Sequence, residues 1–194
     1  MYAALIFDCD GTLIDSMPAH YEAWRDTLAD FDIRFPEDRF YELAGTPTDR
    51  IVRILAGEQQ KSVDVDDVAR RKEDAFLRGL KNVAPIPAVV RIVQENYGRC
   101  KLAVASGGFR NVILRQLDQI GILGMFETVV TAEDTTRHKP DPDVFLEAAR
   151  RLGVPASECC VYEDADLGLE AARRAGMAYV DIRPWHSPRR CTTL

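Results

Sequence analysis

No apolar run in this chain approaches the ~20 residues a helix needs to cross a bilayer, so no membrane-spanning helix is expected. The first apolar stretch is too short for a secretory leader, and acidic residues follow it directly. Cys-x-x-Cys pairs are absent: Cys9, Cys100, Cys159, Cys160 and Cys191 are odd in number and scattered. Three of them fall in or beside predicted strands, the pattern of small buried hydrophobes rather than of a disulfide framework or a metal knuckle. An excess of positive charge is also missing. With 25 Lys and Arg against 31 Asp and Glu, the net charge is −6. That argues against a nucleic-acid backbone or an acidic membrane as the main partner. No internal repeat or low-complexity segment appears, and no protein partner is indicated. These absences leave a reduced, soluble, cytoplasmic protein as the expectation.

What is present is ample core material, with 46% hydrophobic residues over 194 positions. That suits one large domain or a core with a modest insert. The stretch Phe7-Asp8-Cys9-Asp10-Gly11-Thr12-Leu13 follows the apolar run Ala3-Ala4-Leu5-Ile6, which reads as a buried strand. Two carboxylates one residue apart at the end of such a strand repel each other and lose hydration as the strand buries. Either they cap a turn, or a bound cation such as Mg²⁺ resolves the conflict. Gly11 allows a sharp turn there, and Thr12 offers a hydroxyl or N–H to an anion.

Downstream of Asp15 the period changes. His20, Ala23, Trp24, Thr27, Leu28 and Phe31 share one helical face. Further helices are predicted over Glu37–Ala44, from Thr46-Pro47 to Gly57, and over Asp66–Leu80, with no convincing strand from Asp15 to Ala84. After Pro85-Ile86-Pro87 helices and strands alternate: helix Val89–Tyr97, strand Lys101–Ala105, helix Asn111–Ile120, strand Thr128–Thr131. The alternation continues with helix Asp143–Leu152, strand Cys159–Tyr162, helix Leu167–Ala175 and strand Tyr179–Ile182. That rhythm means an α/β fold, a doubly wound parallel sheet of Rossmann-like type. Residues 1–15 and 86–194 form its core and residues 16–85 an inserted α-helical cap. The tail from Pro184 lacks periodicity and is expected to be loosely ordered.

In a parallel sheet the carboxyl ends of the strands share one edge, so clusters distant in sequence become one site. Asp8, then Ser106-Gly107-Gly108, Lys139-Pro140 and Glu163-Asp164 all fall there. Carboxylates for a divalent cation, a hydroxyl, a glycine-flanked helix start and a lysine are what a phosphoryl group needs. In this order and spacing the four segments resemble the motifs of the haloacid dehalogenase-like hydrolase superfamily, over essentially the whole chain. The helical insert resembles the cap of its β-phosphoglucomutase-like branch, which includes sugar-phosphate phosphatases such as fructose-1-phosphate phosphatase.

The resemblance implies that Asp8 is the nucleophile, forming an aspartyl-phosphate, and that Asp10 is the general acid and base. It implies Mg²⁺ held by Asp8, the backbone carbonyl of Asp10 and Asp164, with Glu163 in support. Ser106 and Lys139 would hold phosphoryl oxygens, with Thr12 and Gly107 among the substrate-binding positions. In the cap, Lys72 sits on an apolar stripe between Val68 and Phe76, where a charge either snorkels or meets an anion. His20 opens the Trp24-Leu28-Phe31 stripe in the same way. Both positions match residues the mutase branch places over its active site. The mutase pattern also has a substrate-binding arginine three residues after Gly45; here that residue is Thr48. Arg50 follows two residues later, as in the fructose-1-phosphate phosphatase-like members, or stands as a surface charge. The implied function is a Mg²⁺-dependent phosphatase acting on a small phosphorylated metabolite, with a sugar phosphate foremost. A phosphomutase is the alternative, and a non-enzymatic phospho-acceptor domain is the rival of a different class.

Overall fold

Ala4-Leu5-Ile6-Phe7 is apolar at every position because both faces of its strand are covered. In the computed structural model, which describes residues 2–186, these residues form the central strand β1 (Ala4–Phe7). A tight turn follows, then a two-residue strand β2 (Ile14–Asp15) and four helices: α1 (Met17–Ala29), α2 (Glu37–Glu42), α3 (Thr48–Glu58) and α4 (Val65–Gly79). The chain returns through β3 (Ala84–Pro85) and continues as α5 (Pro87–Asn96), β4 (Lys101–Ala105), α6 (Arg110–Gln119) and β5 (Thr128–Val130). It closes with α7 (Asp143–Leu152), β6 (Cys159–Glu163), α8 (Asp166–Arg174) and β7 (Ala178–Asp181).

Five strands form a parallel sheet in the order β5-β4-β1-β6-β7. The period of two sorts its side chains into two layers. Leu5 and Phe7 point to the side covered by α5 and α6, where Leu102, Val104, Val89, Val93, Val112 and Ile113 pack with them. Ala4 and Ile6 point to the opposite side, against Ala103, Val161 and the helices α7 and α8 through Phe145, Ala148 and Ala171. This is the doubly wound α/β arrangement expected from the alternation of strands and helices. Cys9, Cys159 and Cys160 are buried thiols, as small core hydrophobes should be, whereas Cys100 is half-buried; Cys191 lies outside the described residues.

Helices α1 to α4 pack around a separate core in which Tyr21, Trp24, Leu28, Phe35, Phe40, Ile51, Leu55 and Val68 meet. Asp64 starts α4 one residue earlier than the apolar pattern indicates, because its carboxylate accepts from the N–H groups of Asp66 and Asp67 at 3.1 Å. A second difference from the sequence reading is the antiparallel pair β2–β3, with Ile14 opposite Pro85 and Asp15 opposite Ala84. Two residues are too few to show alternation, and the pair is made only when the chain comes back from the helices. The expectation of loose order from Pro184 falls mostly on residues 187–194, outside those described. Among the described residues no helix is long and apolar enough to cross a membrane.

The two-layer packing sets the scale of its own test. Ile6 is fully buried on the central strand, so Ile6→Ala should cost about 2–5 kcal/mol in urea denaturation. Leu146→Ala, at a position 41% exposed on α7, should stay within about 0.5 kcal/mol.

Candidate active site

The carboxyl end of β1 is held between its neighbours, with the Asp8 N–H donating to the Tyr162 carbonyl at 3.0 Å. The chain then turns back on itself: Leu13 and Ile14 donate to the Cys9 carbonyl at 2.9 and 3.1 Å, and Gly11 donates to Ile14 at 2.8 Å. Gly11 has φ +87°, and a Cβ there would lie 2.2 Å from Asp164 Oδ2. Both the backbone conformation and the approach of Asp164 therefore demand glycine.

Register then delivers the partners. Phe7 pairs with Tyr162, which sets Asp8 beside Glu163 and Asp164. Asp8, Glu163 and Asp164 each present an oxygen within 4.8 Å of the other two. One ammonium serves this group: Lys139 Nζ lies 2.6 Å from Asp8 Oδ1 and 2.7 Å from Glu163 Oε2, with the lysine 2% exposed. Burial alone would lower the Lys139 pKa, but Asp8 and Glu163 reverse that and hold it above the usual lysine range. Asp8 is pushed well above the carboxylate range by burial and by Glu163. Asp164 is pushed up to about 7 by the same two causes, although the Thr12 hydroxyl donates to it at 2.7 Å. Two buried carboxylates and a half-buried third against one ammonium, all oxygen donors, fit a hard divalent cation in both charge and chemistry.

The Asp10 carboxylate stands outside that cluster and has its own donors. Oδ1 accepts from Ser16 Oγ at 2.6 Å, His20 Nε2 at 2.9 Å and Gln116 Nε2 at 2.9 Å. Burial would raise the Asp10 pKa, yet His20, with the bonds from Ser16 and Gln116, outweighs burial and holds it well below the carboxylate range. Lys72 Nζ lies 2.8 Å from His20 Nδ1, so that nitrogen accepts and Nε2 carries the hydrogen given to Asp10. The His20 ring stacks on Phe76 at 3.7 Å between centroids. Lys72 also donates to Glu73 Oε1 at 3.1 Å, where the Thr48 hydroxyl donates at 2.5 Å.

A pocket between the sheet edge and the helical insert is lined by Asp8, Asp10, His20, Lys72, Ser106, Gly107 and Glu163. Ser106 Oγ accepts from the Gly108 N–H at 3.1 Å. A Cβ on Gly107 would lie 2.8 Å from the Gly45 carbonyl, so the sheet edge and the helical insert touch here. Two sequence-predicted binding residues lie elsewhere. Thr12 is fully buried and spends its hydroxyl on Asp164, not on a pocket-facing anion. Arg50 is exposed on α3 and does not line the pocket, because Thr48 and Ile51 are the residues of that helix that face it.

Ser16, Gln116 and Glu73 were missed by the sequence reading. Gln116 carried a signal: it shares the buried face of α6 with Val112, Ile113 and Leu117, where an amide needs a partner. Glu73 likewise lies with Ala69 and Phe76 on the buried face of α4.

An α/β core with a helical insert, and with carboxylates and a lysine gathered at its strand ends, is an enzyme of the hydrolase class by its family. The family model of haloacid dehalogenase-like hydrolases matches residues 5–182, and the chain belongs to that family. It is 39% identical over 183 residues to the fructose-1-phosphate phosphatase YqaB of Escherichia coli K12, covering 94% of this chain and 97% of that protein. To the β-phosphoglucomutase of Bacillus subtilis 168 it is 30% identical over 190 residues, covering 92% and 82%. Its fold superposes on β-phosphoglucomutase from Clostridium difficile with a TM-score of 0.86 at 24% identity, over 93% of this chain and 84% of the other.

The crowded carboxylates make the metal-free protein sensitive to pH in a defined direction. Asp164 titrates near its ordinary 3.8 when unfolded and at about 7 when folded, so its folded form favours the proton. Stability then falls as pH rises through that window. In EDTA the melting temperature should drop between about pH 5 and about pH 8, and a saturating divalent cation should remove the drop.

Proposed function

We propose that this enzyme is a Mg²⁺-dependent phosphatase that hydrolyses a small phosphomonoester, foremost a sugar phosphate, through an aspartyl-phosphate on Asp8. In this reading residues 16–85 are the cap and residues 1–15 with 86–194 the catalytic core. The observation that carries the proposal is the separation of the two aspartates. Asp8 Oδ1 is fixed by Lys139 at 2.6 Å, while Asp10 is held by an independent set of donors.

The free oxygen of Asp8 attacks phosphorus as the bond to the leaving oxygen breaks, and Asp10 gives that oxygen its proton. Water then attacks the acyl phosphate, Asp10 takes the water's proton, and orthophosphate leaves. The resting donors keep Asp10 ionised, the form the second half-reaction uses. Its acid role requires substrate to displace one of them, after which burial raises its pKa. Ser106 and Lys139 hold phosphoryl oxygens, and Lys139 screens the Asp8 charge from its anionic target. Asp8, Asp164 and the Asp10 carbonyl would hold Mg²⁺, with Glu163 in support, and the ion when bound neutralises phosphoryl charge. Thr12 orients Asp164.

The similarity to a fructose-1-phosphate phosphatase over nearly the full length of both chains supports the sugar-phosphate class. The likeness to a β-phosphoglucomutase favours a second reading, a mutase. Against it, Thr48 stands where the mutase pattern has its arginine, and Arg50 is exposed.

Phosphate release from p-nitrophenyl phosphate and from hexose, pentose and nucleotide monophosphates is the test. Wild type with Mg²⁺ should turn over, and Asp8→Asn should lower kcat/KM at least ~10³-fold. Silence across the whole panel sinks the reading, and isomerisation of β-glucose 1-phosphate without phosphate release converts it to the mutase.

A further inference from the structure

Two buried residues of the cap are not used by the proposed chemistry: Glu73 on α4 and Thr48 at the start of α3. Both line the pocket, and each is 8% exposed. Their contacts are one-sided. The Thr48 hydroxyl at 2.5 Å and Lys72 Nζ at 3.1 Å both donate to Glu73 Oε1. The other oxygen, Oε2, receives no hydrogen bond from any described residue, yet it is not among the fully buried atoms that lack a partner. A carboxylate oxygen that keeps access to the pocket and has no protein donor is an acceptor left for whatever enters.

The charges nearby point the same way. Burial raises the Glu73 pKa, but Lys72, His20 and the Thr48 bond outweigh it, so the side chain stays ionised. Among the described residues Lys72 is the single ammonium lining the pocket, and its contacts to Glu73 Oε1 and His20 Nδ1 commit it. Lys139, deeper, is committed to Asp8 and Glu163. Arg50 faces solvent. A second anionic group on a substrate bound at Asp8 would therefore meet a carboxylate on the cap side with no uncommitted cation beside it. Trp24, Phe40 and Leu43 supply an apolar wall to the same pocket.

We propose that Glu73, buttressed by Thr48, is a specificity-determining residue. It accepts hydrogen bonds from the hydroxyls of a substrate whose non-phosphate part is neutral and polyhydroxylated, and it rejects substrates carrying a second phosphate or a carboxylate. The proposal rests on the phosphatase reading and narrows its substrate class. A buried acceptor aimed at hydroxyls also discriminates against analogues that lack them, because those leave it unpaired.

The experiment compares kcat/KM for a hexose 1-phosphate, the matching hexose 1,6-bisphosphate and phosphoglycolate, in wild type, Glu73→Gln and Glu73→Asp. Wild type should favour the monophosphate over both competitors, each of which carries a second anionic group, by at least ~10-fold. Glu73→Gln should raise the bisphosphate-to-monophosphate ratio at least ~10-fold, mainly through KM for the bisphosphate, and Glu73→Asp, which keeps the charge, should hold the ratio near wild type. Thr48→Arg, which sets a cation beside Glu73 without removing it, should raise the ratio too and guards against misfolding of Glu73→Gln. An unchanged ratio in a folded, active Glu73→Gln overturns the proposal. So does a wild type that uses the bisphosphate as well as the monophosphate. Hydrolysis of p-nitrophenyl phosphate by wild type reports separately on the phosphatase reading, so failure of that reading is not confused with failure of this one.

Discussion

The contact on which the rest of the molecule depends is a single ammonium between two carboxylates. Lys139 reaches Asp8 and Glu163 from a loop that belongs to neither strand, in a place where all three are buried. Buried charges of this kind are tolerated only when geometry is good and no partner is missing. Each partner's position is therefore an architectural demand. Asp8 must leave β1 beside β6, which the pairing of Phe7 with Tyr162 secures. Lys139 must approach across the sheet edge, and its ammonium lies over the ring of Phe145 of α7, with Nζ 5.0 Å from the centroid. The chain then leaves Asp8 through a turn whose only room for Asp164 is the absent side chain of Gly11.

Much of this was legible in the sequence because it is written in local patterns. The apolar run before Asp8, the alternation after Pro87 and the four clusters at strand ends each lie within a few residues, and a parallel sheet brings their ends together by geometry alone. His20 and Lys72 stood out as charges on apolar faces, and the structure brings them into contact at 2.8 Å. What escaped is what depends on how two elements face each other. Gln116 reaches Asp10 across 106 residues of chain, through the docking of α6 against the β1 turn. Thr12 was read as a donor to an anion, which its chemistry allows, but the turn at Gly11 aims it at Asp164. Arg50 was placed by its distance from Gly45; the phase of α3, in which Thr48 and Ile51 face the pocket, turns it outward. The β2–β3 pair was hidden because each strand is two residues long and neither forms without the other.

Asp10 joins the two parts of the molecule in one hydrogen-bond set. Gln116 reaches its carboxylate from α6 of the sheet domain, while His20 reaches it from α1 on the helical side of the β2–β3 crossing. Behind His20 stand Lys72, Glu73 and Thr48, contributed by α4 and α3. The low pKa of Asp10 is accordingly a property of the assembled interface and not of its own strand. Burial pulls that pKa upward, and only the full set of donors pulls it down. Any movement that separates α1 from α6 removes donors from one side while the sheet still buries the carboxylate. Residues that line the pocket thus also fix the protonation state of Asp10, so under the proposed mechanism binding and proton transfer share one network.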